Sequence, residues 1–263
     1  MAEPQDKLLS NAGGLLMLAG GLATLTGGLY GLARQEPGIV VLSILLLIGY
    51  GVVGYLLMSR GARHFNVALP GAAVLVLATL FLFRRTPTSD FGGRFFLDPA
   101  LTLVLAFAGG ALLTHALEEA LDRVEWPTRP PRNVGTLLFV AAYAPVWNAF
   151  VLLEWMVRPS AWATVLVVGA SAAAAIACVV GGHAANRRRH PAVTLAGASA
   201  GFLACVLYLF QFMLGGGNRD LAFFGQLNAL LGLVLSGLPI AIAAVAWIQL
   251  GDEEPVADRP HEG

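Results

Sequence analysis

Gly38–Met58, GIVVLSILLLIGYGVVGYLLM, is a run of 21 residues without a charge. As an α-helix it is about 31 Å long, which matches a bilayer hydrocarbon core of about 30 Å. A helix on a soluble protein shows one apolar stripe; this segment is apolar all round, as a membrane span is. Reading outward in both directions finds the same signal at 11–34, 67–83, 100–117, 134–156, 161–182, 192–214 and 221–249. The expected fold class is all-α: a polytopic integral membrane protein, a single bundle of about eight transmembrane helices over 1–250. A polar, disordered cytoplasmic tail is expected over 251–263.

Composition agrees with this reading. Hydrophobic residues make up 57% and charged residues 12%, against about 25% charged in a soluble domain. Most charges fall in the gaps between spans, where lipid does not penalise them. Lys+Arg and Asp+Glu both total 16, so no basic excess points to nucleic acid. Cys178 and Cys205 lie inside spans, where free thiols act as small apolar groups. No span contains a lysine, which excludes a retinal Schiff base, and no cofactor is expected. The MAEPQDK start carries acidic as well as basic residues, and the apolar run after it is longer than that of a secretory signal.

The cations are divided unevenly between the two faces. Lys7, Arg60, Arg63, Arg123, Arg129, Arg132, Arg187, Arg188, Arg189 and Arg259 fall on one side; Arg34, Arg84, Arg85, Arg94, Arg158 and Arg219 fall on the other. The positive-inside rule makes the richer side cytoplasmic, so both termini are expected there, in a prokaryotic plasma membrane.

The first span holds a repeat, GGLLMLA–GGLATLT–GGLYGLA, with glycine pairs beginning at Gly13, Gly20 and Gly27. A seven-residue period keeps one stripe facing one partner, and a glycine stripe lets that partner's backbone come close. The expected partner is another span of the same chain. The stripe also suits a seam between two copies, making a homo-oligomer.

Polar residues within the spans are few. Pro145 removes a helix bond near mid-span and should kink the fifth span; Tyr143, Trp147 and Asn148 flank it. Pro239 should kink or tilt the eighth span, and Pro70 is expected in the first turn of the third, where it costs no bond. Tyr143, Asn148, Gln226 and Asn228 would form a neutral substrate-binding pocket if the fifth and eighth spans meet. Interhelical hydrogen bonding is the competing reading of the same residues.

The fourth span runs on into THALEEALDRVEW. There His115, Glu118, Glu119 and Asp122 share one helix face. Imidazole and carboxylate could perform acid–base catalysis (His115, Glu118, Glu119) or bind a divalent metal (His115, Glu119, His183). The competing reading is a solvated helix end with Glu–Arg pairs. Glu118–Arg123 reads E-E-x-x-x-R and is similar to the first motif of the CAAX-processing membrane proteases, where paired glutamates sit beside a water-activating site. The chain lacks that family's F-x-x-x-H. Ser199, within GASAG, looks like the serine motif of rhomboid proteases, but no histidine base follows it in the eighth span.

These features favour a non-enzymatic membrane protein, a permease-like carrier or small-solute binder, whose main partner is the lipid bilayer. The alternatives are a structural or sensory module acting through partners, and an enzyme with the cytoplasmic-face His/carboxylate site.

Overall fold

Backbone N–H and C=O groups have no water to bond in lipid, so a spanning segment must satisfy them internally. In a computed structural model of the protein, which describes residues 4–86, 94–120, 133–155, 160–188, 190–215 and 219–252, it does so with helices alone. They are α1 (Pro4–Arg34), α2 (Pro37–Arg85), α3 (Arg94–Ala120), α4 (Val134–Ala141), α5 (Tyr143–Trp155), α6 (Ala161–Asn186), α7 (Pro191–Gly215) and α8 (Arg219–Asp252). Eight segments are long and apolar enough to cross a membrane, and they are partitioned differently from these helices.

α2 contains two of them, Pro37–Ser59 and Arg63–Arg85. Its 49 residues would reach about 73 Å if straight, more than twice the hydrocarbon core. Instead the two arms fold back on each other. The Tyr50 and Thr79 hydroxyls hydrogen bond at 2.8 Å, and a Cβ on Gly71 would lie 3.3 Å from Val53. The backbone stays helical through the reversal, so Pro70 lies inside the second arm rather than in its first turn.

α4 and α5 are two parts of one span, broken at Ala142. The cause is Pro145, which has no N–H to give the carbonyl four residues back, at Ala141, and whose ring crowds that carbonyl. α8 continues through Pro239. Its 34 residues are about 51 Å of helix, longer than the core is thick, and the apolar part is Leu230–Ile248. Gly251 and Asp252 extend this helix beyond the expected boundary of the tail; 253–263 lie outside the described residues.

Packing follows the logic of lipid rather than of water. The buried set is rich in Ala, Thr and Ser, while large apolar side chains face outward: Trp162 is 82% exposed, Leu166 71% and Leu32 69%. Small residues allow close helix contact, and lipid solvates the rest. α1 lies antiparallel to the first arm of α2 along the predicted glycine edge. A Cβ on Gly13 would be 2.5 Å from the Gly54 carbonyl oxygen, and one on Gly20 3.0 Å from Tyr50 Cβ. One on Gly27 would overlap Ser43. The neighbouring Gly14 and Gly21 have nothing within 4 Å.

Hydroxyls within the bundle bond back to their own helices, as Thr102 does to Asp98 O (2.9 Å) and Thr114 to Gly110 O (2.7 Å). α6 and α7 close on each other at Gly181 and Gly197, where Thr194 donates to Gly181 O at 3.2 Å. α3 joins the two halves: Gly110 leaves room for Val179 of α6.

Candidate functional site

α5 places Asn148 at a junction with α7 and α8. One turn before it, Ala144 packs against Gly232 of α8, and a Cβ on Gly232 would also meet Cys205 Sγ of α7. On its other side Val151 and Leu152 form a cluster with Tyr208. Asn148 is 2% exposed, and neither its Oδ1 nor its Nδ2 has a hydrogen-bond partner among the described residues.

The helices around it alternate in direction. Gly197 meets Ala177 while Thr194 meets Gly181, and Gly201 meets Ser236 while Gly232 meets Cys205. Both pairs are antiparallel, as are α4 and α6, where Gly135 meets Asn186 while Phe139 meets Gly182; α8 therefore also runs antiparallel to the α4–α5 span. The Ala144–Gly232 contact therefore puts Asn148 level with position 228, one turn before Gly232 on the same face of α8. The side chains of Asn228 and Gln226 lie outside the described residues, though by helix spacing position 226 belongs to a different face from 228. On the face of Gly232, one turn the other way, is Ser236, fully buried, with its Oγ lacking a partner among the described residues. Cys178 Sγ approaches the same layer and donates to Gly197 O at 3.4 Å.

Tyr143 is not brought to Asn148. It stacks on Trp147 with centroids 5.8 Å apart, and Trp147 in turn meets Phe96 at the start of α3. These rings belong to the outer side of α5, where Tyr143 is 36% exposed. Of the four predicted pocket residues, Asn148 and position 228 share a level and facing helices. Ser236 lies two turns of α8 away from that level and faces Gly201 of α7.

At the other end of the bundle, α3 and α6 are parallel neighbours. Gly110 meets Val179, and Glu118 forms an ion pair with Arg187 in the same register, which puts His115 level with Ala184. Of the candidate catalytic residues, His115 is packed within the bundle and Glu118 is engaged by Arg187. His115 is 3% exposed, and its ring meets Phe65 edge-on at 4.9 Å. His183 does the same with Phe139 at 5.0 Å. Beyond His115 the helix end is partly exposed at Ala116, Leu117 and Glu118, and Glu118 pairs with Arg187 as the competing reading expects. Among the described residues no three His, Cys, Asp or Glu side chains group as a metal site. The Glu119 side chain and Asp122 lie outside those residues.

No protein-family model matches the chain, and no curated protein or solved structure shows significant similarity to it.

Proposed function

We propose that this multi-pass membrane protein is a non-enzymatic, permease-like carrier or binder of small uncharged solutes, with Asn148 at its recognition point. The observation that supports this reading is the state of the Asn148 amide: buried in the bundle, with both polar atoms unpartnered among the described residues. An unmet buried polar group costs about 1–3 kcal/mol, and intramembrane polar groups mark solute pathways. The amide offers both a donor and an acceptor. A site of this kind suits a neutral molecule with its own hydroxyl or amide groups. Position 228 of α8 is level with Asn148, and both termini are cytoplasmic in this reading, as the cation distribution argues.

The test is flux. In proteoliposomes, stopped-flow light scattering with glycerol, urea and erythritol should show solute entry faster than in protein-free vesicles for at least one of the three. Asn148→Leu should reduce that entry at least tenfold. If protein-containing vesicles match empty ones for all three, and none of the three raises the melting temperature of the detergent-solubilised protein, the reading fails.

A further inference from the structure

A cavity apart from Asn148 lies between the second arm of α2, α3, α6 and Leu16 of α1, with a volume of about 90 Å³. Its walls are hydrocarbon. The two hydroxyls on it are engaged elsewhere: Thr79 with Tyr50 and Leu75 O, Thr102 with Asp98 O. A polar solute would find nothing to bond, whereas apolar cavities of this order stay dry and take apolar ligands.

Its shape selects the kind of apolar ligand. On the α2 arm the lining runs from Phe83, two residues from the helix end, to Ala72. That is about 16 Å of helix, close to the depth of one leaflet of a core about 30 Å thick. The lining residues Val76, Leu80, Leu105 and Ala172 are only partly buried, so the slot is open to lipid. At its outer end Arg84 lies one turn past Leu80 at the edge of the same stripe; it is exposed and has no acidic partner among the described residues. Arg85 points away and lies over the Phe81 ring.

We infer that this slot anchors one acyl chain of an anionic phospholipid, with a few methylenes held in the cavity, the rest along its lipid-open side, and the headgroup phosphate paired to Arg84. Hydrocarbon walls of one-leaflet length receive the chain, and the guanidinium at the mouth selects negative charge. The lipid would fill the gap between the α2 arm and α3.

Native mass spectrometry of the detergent-solubilised protein tests this, with phosphatidylglycerol and phosphatidylcholine of identical chains as probes. The wild type should retain one phosphatidylglycerol about fivefold more tightly than phosphatidylcholine, as expected for a single arginine contact at a membrane surface. Arg84→Gln should bring the two lipids to parity, and Arg85→Gln should leave the preference intact. Ala72→Leu, which pushes three carbons into the slot, should weaken both lipids. Equal binding of the two lipids by the wild type, or a preference that survives Arg84→Gln, would overturn the inference. The comparison on the wild type needs no substitution, and Arg84 is exposed, so neither result depends on a variant that fails to fold.

Discussion

Gly13 and Gly14 are adjacent in sequence and opposite in consequence. A Cβ at Gly13 would lie 2.5 Å from Gly54 O and 2.7 Å from Met58 Cγ, while one at Gly14 meets nothing within 4 Å. Backbone cannot retreat as a flexible side chain can, so Gly13→Ala should destabilise by about 1–3 kcal/mol. Gly14→Ala should be neutral or stabilising by up to about 1 kcal/mol, from helix propensity alone. Tryptophan-fluorescence melting in detergent separates the two, and equal melting temperatures would contradict the packing described. Asn148 gives the complementary case. If its amide serves a ligand rather than the fold, Asn148→Leu should raise the melting temperature while abolishing solute entry. A lowered melting temperature would instead mark it as an ordinary interhelical hydrogen-bonding residue. Before folding, the glycine repeat already announced a close contact. It did not distinguish Gly13 from Gly14, because only the position of the facing helix decides which glycine of each pair is covered.

At the scale of elements, turns carry the information. α1 and α2 are separated by Gln35 and Glu36 alone. Gln35 has φ 57°, Glu36 N–H bonds to Gly31 O at 2.8 Å, and Gln35 N–H reaches Leu32 O at 3.4 Å. This is a Schellman closure with glutamine where glycine is favoured. Gln35→Gly should therefore stabilise by about 1 kcal/mol, the cost of left-handed backbone for an L-residue, read as a rise in melting temperature. The α6–α7 turn also uses left-handed residues, Arg188 and His190, ahead of Pro191 at the first helical position. The eight apolar stretches were legible because lipid demands length and apolarity, both local properties. The break at Ala142 followed from Pro145 by the same local rule. That α8 would stay helical through Pro239 did not follow, since neighbouring helices and side chains can satisfy the backbone groups a proline frees.

At the scale of the molecule, small residues mark the close helix contacts, and many large apolar side chains face outward to lipid while others, such as Tyr50 and Phe150, fill the core. Eight crossings return the chain to its starting face. The excess of cations beside both ends predicts that cytoplasm-active reporters fused at residue 1 or 263 are both functional in cells, while periplasm-active ones are silent. The opposite pattern would invert the Arg84 end of the lipid slot as well as the solute site. The Glu118–Arg187 pair and the Asn148–228 level are properties of this scale. Each depends on which spans are neighbours, and hydropathy carries nothing about neighbours because every span looks alike to lipid.

The sequence by itself determined that this is a helical membrane protein of about eight apolar spans, and where a small-residue contact must occur. Those follow from the mismatch between peptide groups and hydrocarbon, which each segment meets alone. Only the tertiary structure decided that His115 and His183 are packed against aromatic rings, that Tyr143 lies away from Asn148, and that an apolar slot ends at Arg84. Those depend on the rotation and pairing of helices, which are set by steric fit among side chains far apart in the chain.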